Sequence, residues 1–195
     1  MKKILLLILC LSVIGNIFCQ SNKKNYFGVN ASFGDINYKR YRSTTYTSSE
    51  FEGKTYFCLG FDYEQRIYEN VDFCTGFVFT KNSLINHWTN GSYSGSNMDE
   101  LFIFSFPFHI KYHFLNYLFV DGGVCVNYHP SQGYTWGVGL GAGVGAEYVF
   151  NNGFAVSLSP NMQLNFLTVE KHDSKKDRYD NLTRMGIKFG LGYRF

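Results

Sequence analysis

The sequence predicts an all-β chain that folds as an eight-stranded antiparallel up-and-down transmembrane β-barrel. Apolar and small or polar residues alternate along eight segments, as expected when successive side chains of a strand point to opposite faces. The connections between the segments alternate between long and short. The 195 residues include 20 Phe, 15 Tyr and 20 Gly, and the slightly negative mean hydropathy excludes a bundle of transmembrane helices.

The first four predicted strands each place apolar residues on one face, and they differ in how many they place there. The first places Phe27, Val29, Ala31 and Phe33 on one face, and the second places Phe57, Leu59, Phe61 and Tyr63 there. The third, after a tight turn at Glu69–Asn70, presents Phe73, Phe77 and Phe79. The fourth is the most one-sided, with Phe102, Phe104, Phe106, Phe108, Ile110, Tyr112 and Phe114 opposite Ser105, His109, Lys111 and His113.

The last four strands continue the pattern to an aromatic carboxyl terminus. The sixth alternates glycines with larger residues, and Asn151–Gly153 then gives a hairpin signal. The eighth places Met185, Ile187, Phe189, Leu191, Tyr193 and Phe195 on its apolar face. The eight predicted strands cover residues 26–35, 55–68, 71–80, 101–114, 118–128, 137–150, 154–166 and 184–195.

The connections run long, short, long, short, long, short, long, so all short turns fall at one end of the barrel, together with both termini. Outer-membrane barrels have an even number of strands, short periplasmic turns and long extracellular loops. The sequence therefore predicts an integral protein of the bacterial outer membrane with both termini in the periplasm. The long loops are predicted at about 36–53, 81–99, 129–136 and 169–182.

The small or polar face is predicted to point into the lumen. An eight-stranded barrel has an interior just wide enough for side chains to fill it. A row of glycines from Gly137 to Gly145 fits such an interior, whereas the aromatic residues of the fourth strand do not. Pro107 and Pro160 fall inside strands, and because proline lacks a backbone donor, local bulges are expected there.

The first 19 residues resemble a secretory signal peptide, with Lys2 and Lys3 followed by an apolar run. The domains predicted are therefore a signal peptide over 1–19 and a barrel over 20–195. Removal of the signal peptide lowers the formal net charge from +3 to about +1, which implies no nucleic-acid partner. Cys58, Cys74 and Cys125 are predicted to be small lumen residues without a disulfide, and no spacing indicates a metal or cofactor site.

Eight charged residues face the lumen by alternation: Glu64, Arg66, Asp72, Lys111, Asp121, Glu147, Lys188 and Arg194. Charges removed from water must be paired, so a salt-bridged plug is expected, most of it at the end with the short turns. The alternative is an ion path or gate, for which a narrow interior leaves little room.

Two motifs in the predicted long loops have functional interpretations. Lys39, Arg40 and Arg42 alternate with tyrosines in the first loop and would suit phosphates of lipopolysaccharide or an acidic partner; the alternative is a solvated rim. The segment His129-Pro130-Ser131 resembles the His-x-Ser pair of lipid A deacylases. However, Pro130 separates the pair and Glu147 lies inward near the opposite end, so no hydrolytic trio is expected.

The signal segment, the eight strands and the final Gly190-Leu-Gly-Tyr-Arg-Phe195 resemble small outer-membrane barrels of the OmpA/OmpX-like class. They are most similar to the Bacteroidota "outer membrane protein beta-barrel domain" and porin families. The resemblance implies that Tyr193 and Phe195 form the insertion signal read by the barrel-assembly machinery. It implies no reaction, and the chain is expected not to be an enzyme.

The predicted function is therefore that of a monomeric barrel with a structural or surface-interaction role through its extracellular loops, surrounded by outer-membrane lipid and lipopolysaccharide. A narrow pore for ions or small solutes is the alternative, and a lipid-modifying enzyme is a third hypothesis.

Overall fold

The computed structural model describes residues 25–43, 47–90, 92–114, 117–130, 135–169 and 178–195. The predicted signal peptide lies outside these residues. The described residues form nine strand segments: β1 (Asn25–Asn37), β2 (Lys39–Ser43), β3 (Thr47–Tyr68), β4 (Val71–Asn90), β5 (Tyr93–His113), β6 (Leu118–His129), β7 (Thr135–Val149), β8 (Phe154–Val169) and β9 (Arg178–Arg194). No helix among them is long and apolar enough to span a membrane.

The strands close into one antiparallel ring. Each strand from β3 to β9 pairs with its neighbours in sequence, and β1 pairs with both β9 and β3. The short β2 continues β1 along the same partner, β3, so the wall has eight strands. Reciprocal backbone hydrogen bonds of 2.6 and 2.7 Å join Asn25 to Phe195 at the ends of the ring. The predicted fold class is confirmed.

The outer wall is apolar over the length of a membrane. Every second residue points outward from Phe102 on β5 to Phe114, which directly follows this strand, and Phe108 is 44% exposed. Twelve residue steps span about 40 Å along the strand and about 30 Å along the membrane normal at a tilt of about 40°. Aromatic rings on adjacent strands stack on this surface, for example Phe79 on Phe102 with centroids 5.8 Å apart. The small face lies inside, as predicted.

Two of the four predicted long loops are regular hairpins. Residues 81–90 extend β4 and 93–100 extend β5, in unbroken register down to the pair Asn90–Tyr93. Residues 39–43 pair with 48–52 in the same way. The predicted loops over 36–53 and 81–99 were therefore wrong, and the predicted loop over 169–182 was wrong for residues 178–182, which pair with 165–169. These segments have polar residues on both faces and lack the apolar alternation on which the prediction depended. They still pair, because ladder hydrogen bonds join backbone groups and do not require apolar side chains.

The prolines do not create bulges, which corrects the expectation at Pro107 and Pro160. The β4–β5 register is the same on both sides of Pro107, and the β7–β8 register is the same on both sides of Pro160. Pairing lapses for two residues on one side of each proline, while the ladder on the other side is continuous. Each proline therefore costs ladder hydrogen bonds toward one neighbour only. The register shifts between β3 and β4 lie elsewhere, at Gly53/Thr55 and Arg66/Tyr68.

The three cysteines of the described residues are free thiols, as predicted. Cys58 lies opposite Thr80 and Cys74 opposite Glu64, one position from the partners (Lys81 and Gln65) that an unshifted turn at Glu69–Asn70 predicts. The register shift between Arg66 and Tyr68 accounts for this difference.

Candidate functional site

A buried ion cluster fills the lumen at the end with the short turns. The Lys111 ammonium donates to Glu64 and, at 2.9 Å, to Glu147. The Arg194 guanidinium contacts the carboxylates of Glu64 at 3.2 Å, Asp72 at 3.1 Å and Glu147 at 2.8 Å. All five side chains are at most 7% exposed. They come from five strands, so the cluster ties β3, β4, β5, β7 and β9 together across the lumen.

Asp72 collects further donors at the edge of this cluster. Its side chain is fully buried and accepts from Arg66 Nε at 2.6 Å, while His113 Nε2 lies 3.0 Å away. The cluster thus contains three carboxylates, Glu64, Asp72 and Glu147, and three permanent cations, Arg66, Lys111 and Arg194. Because the charges balance and each is paired, the cluster satisfies the conditions under which ionised groups are tolerated away from water.

Aromatic rings fill the space around the cations. Lys111 Nζ lies 4.6 Å from the centroid of Phe119, and both Lys111 Nζ and the guanidinium carbon of Arg194 lie 5.9 Å from the centroid of Tyr26. A Cβ at Gly28 or Gly192 would approach the Tyr26 ring to within 2.6 Å. Glycine at these positions therefore lets the Tyr26 ring lie against the wall of the barrel.

A second group of charges lies farther from the short turns than the first, around an interior cavity of about 110 Å³. Lys188 Nζ is 2.7 Å from Asp62, and His109 Nδ1 is 3.6 Å from Asp121. These four charged or titratable residues and the three cysteines line the cavity: Asp62, His109, Asp121, Lys188, Cys58, Cys74 and Cys125. The sequence predicted Asp121 and Lys188 as lumen charges but not their partners, although Asp62 and His109 lie on the same polar faces.

The end of the lumen with the long hairpins is closed by apolar and amide side chains. The apolar part consists of Ile36, Tyr38, Tyr56, Cys58, Leu84, Ile103 and Leu182. Beneath it, Ser105 donates to Asn127 at 2.7 Å and Asn127 donates to Asn165 at 2.8 Å. The buried Arg184 donates to Gln163 at 2.9 Å and to Asn165 at 3.2 Å. The alternation pattern did not predict this closure, although Leu101 and Ile103 are apolar residues on a mostly polar face.

The structure separates the residues of the hydrolase-like motif. His129 ends β6, where it pairs with Thr135, whereas Glu147 lies beyond the other end of the same ladder. Ser131 lies outside the described residues. Within the described ranges, no group of three or more His, Cys, Asp or Glu side chains could hold a metal ion.

The remaining predicted residues lie on the outside or in the hairpins. Tyr193 and Phe195 are exposed on the outer face, with ring centroids 6.5 Å apart. The backbones of Lys39, Arg40 and Arg42 form part of β2, opposite Glu52, Phe51 and Ser49. Both assignments stay predictions.

The chain matches no protein-family model and no curated protein sequence. Among solved structures it is similar to the solid-state NMR structure of the outer membrane protein AlkL in DMPC bilayers, with 14% identity over 89% of this chain and 90% of that chain, and a TM-score of 0.53. Neisserial surface protein A matches with 15% identity over 88% and 97% of the two chains and a TM-score of 0.47. OprG from Pseudomonas aeruginosa matches with 12% identity over 89% and 96% and a TM-score of 0.45.

At these identities the matches indicate fold and not role. The AlkL match supports the fold, and the lower TM-scores of the other two add nothing to that conclusion. The finer resemblance to OmpA/OmpX-like proteins of Bacteroidota stays a prediction. The closed eight-stranded ring, its apolar outer wall and its polar lumen agree with the match, and in fold the chain is an eight-stranded outer-membrane β-barrel.

Proposed function

We propose that this chain is a monomeric, non-conducting barrel of the outer membrane that acts as a structural or surface-interaction protein through its long hairpins. In this proposal both termini face the periplasm and the hairpins face the exterior. Outer-membrane lipid and lipopolysaccharide surround the wall, and Tyr193 and Phe195 are recognised by the barrel-assembly machinery during insertion.

One observation carries the proposal: the lumen is filled at both ends. The paired charges around Lys111 and Arg194 occupy one end, and the apolar group around Ile103 and Leu182 occupies the other. A solute crossing the barrel would have to displace both. Separating the buried ion pairs alone costs several kcal/mol, so the filled lumen favours a plug over a pore.

We expect no stable unit currents when the purified barrel is inserted into planar lipid bilayers. The same result is expected after Lys111→Ala, because the apolar group at the other end still closes the lumen. Current would be recorded across a range of voltages in potassium chloride. Lys81→Ala removes an exposed pair with Glu100 and serves as the matched control, since it changes the same charge outside the lumen.

Stable unit currents in the unaltered barrel that disappear on replacing Lys111 or Arg194 would contradict the plug and favour the alternative, a narrow pore for ions or small solutes. The cavity of about 110 Å³ between the two closures is the observation that favours this alternative. The cavity is lined by charges of both signs, which provide contacts for a cation or an anion. Its connection to either end is what the current measures.

A further inference from the structure

We propose that the free edge of β5, from Tyr93 to Ile103, binds an extended segment of another polypeptide by strand addition. The inference rests on the proposed function, in which the long hairpins form a contact surface outside the membrane. It goes further by naming the part of that surface that binds and the chemistry that it recognises.

The edge arises because neighbouring strands differ in length. β5 pairs with β4 from Tyr93 to Tyr112, whereas β6 reaches only as far up β5 as Phe104. Among the described residues, the eleven residues of β5 from Tyr93 to Ile103 therefore have one neighbouring strand instead of two. Within the part of the chain that the structure describes, no backbone–backbone hydrogen bond outside the strand ladders involves these eleven residues. The Asn82 side chain donates to the Leu101 carbonyl at 3.0 Å, but it does so from β4.

Pro107 reveals which backbone groups point to the free side. The β4–β5 ladder lapses at Phe106 and Pro107, while the β5–β6 ladder continues through the pair Pro107–Cys125. The missing donor of Pro107 is therefore on the β4 side. Because backbone groups alternate along a strand, odd-numbered residues of β5 face β4. The even-numbered residues Ser94, Ser96, Met98, Glu100 and Phe102 direct their N–H and C=O groups to the free edge.

Apart from the charged side chains of Asp99 and Glu100, this edge lacks the features that normally prevent strand pairing. Natural edges are kept short, or carry lysine, proline or a bulge. The β5 edge is long, has no lysine or proline between residues 93 and 103, and keeps one register throughout. The two hairpins form one sheet in the order β2, β3, β4 and β5. Its other outer strand, β2, is only five residues long and includes Lys39, Arg40 and Arg42. One outer strand of this sheet is protected and the other is open.

The chemistry of the edge specifies its occupant. A row of unpaired N–H and C=O groups recognises the backbone of another extended chain. Asp99 and Glu100 lie within the edge, and Lys81 pairs with Glu100 at 2.6 Å. Asp99 is therefore the charge that favours a segment with lysine side chains over an acidic one.

A second copy of the barrel does not fit. Strands of such barrels tilt by about 35–45° from the barrel axis. In two barrels standing side by side in one membrane, the facing strands therefore cross at about 80° and cannot form a ladder.

Hydrogen exchange of the full barrel in lipid nanodiscs tests the edge directly. Backbone amides of Ser94, Ser96, Met98 and Glu100 are expected to exchange about 100-fold faster than those of Gly95, Asn97 and Asp99, which bond to β4. Protection of the even-numbered amides in the absence of any added peptide would overturn the inference. This outcome is independent of conductance, so failure of the edge and failure of the proposed function are distinguishable.

Binding is tested with a synthetic (Thr-Lys)4 peptide, blocked at both ends, added to the same nanodiscs. It is expected to slow exchange of the even-numbered amides and to bind more tightly than (Thr-Glu)4. A (Thr-Lys)4 peptide N-methylated at alternate residues is expected not to bind, because it has lost donors for a ladder. Absence of binding by (Thr-Lys)4 at millimolar concentration, or equal binding of the methylated peptide, would overturn the inference.

The variant Ser96→Pro removes one edge donor while leaving the β4 ladder intact, since proline is tolerated where its missing N–H faces away from the partner strand. Its affinity for (Thr-Lys)4 is expected to fall about tenfold, with Ser96→Ala as the matched control. Heat-modifiable mobility on gels shows that each variant is folded. Unchanged affinity in a folded Ser96→Pro variant would place the peptide elsewhere and contradict the proposal.

Discussion

Replacing Lys111 by methionine is expected to lower the free energy of unfolding of the barrel by about 3–5 kcal/mol, the usual cost of removing one partner from a buried ion pair. Methionine keeps most of the volume and the contact with the Phe119 ring, so the loss is electrostatic. It leaves Glu64 and Glu147 facing each other with only Arg194 between them. Urea-induced unfolding in lipid vesicles measures the change.

Two further variants identify the cause. Lys81→Met removes the exposed pair with Glu100, whose side chains are 42% and 49% exposed, and is expected to cost at most about 1 kcal/mol. Adding Glu64→Gln to Lys111→Met is expected to restore part of the loss, because one of the two uncompensated carboxylates becomes neutral. A Lys111→Met barrel as stable as the original would show that the cluster does not hold the strands together.

Placing arginine on the outer wall at Val124 is expected to lower the free energy of unfolding by about 2–4 kcal/mol, the cost of a charge at the middle of a bilayer. Val124 is 51% exposed on the outer face of β6 and pairs with Phe108 and Leu140, which are themselves exposed. In water such a position would accept arginine with little change. The measurement again uses urea in lipid vesicles.

The control for this experiment is Met98→Arg on the projecting hairpin. Met98 is 72% exposed, on the outer face of β5 like Phe108, but beyond the apolar wall. Its replacement is expected to change the free energy of unfolding by no more than about 0.5 kcal/mol. A Val124→Arg barrel that inserts into vesicles with unchanged stability would contradict the assignment of this wall to lipid.

The strands that cross the membrane could be predicted because lipid imposes a rule on one face only. On β5, every second residue from Phe102 to Phe114 has to be apolar, and the alternation is visible in the sequence. Above Phe102 both faces meet water, and Ser94, Ser96 and Asn97 contain no such signal. The strand continues there through backbone pairing with β4, which side-chain patterns do not report.

The sequence predicts which charged residues face the lumen, but not which of them form ion pairs with each other. Alternation places Lys111, Glu147 and Arg194 inside, but which charges meet depends on the tilt and stagger of strands that are distant in sequence. Lys111 and Glu64 are 47 positions apart, and Arg194 and Glu64 are 130 apart. The register shift between Arg66 and Tyr68 also moves the β3–β4 partners by one position. No residue of the turn between these strands predicts that shift.

The hydrogen bonds between Asn25 and Phe195 have a consequence for how the chain can be rearranged. With its first and last strands paired, the ring keeps every strand pair when the chain is opened at a different turn. A gene in which a short linker joins Phe195 to Asn25, with new ends opened between Asn90 and Tyr93, would encode the same cyclic order. Insertion of its product in a cell would be a separate question, because Phe195 would no longer end the chain as the proposed insertion signal. Adjacent termini generally tolerate such circular permutation, so the permuted barrel is expected to refold in lipid vesicles with its ends on the other side of the membrane.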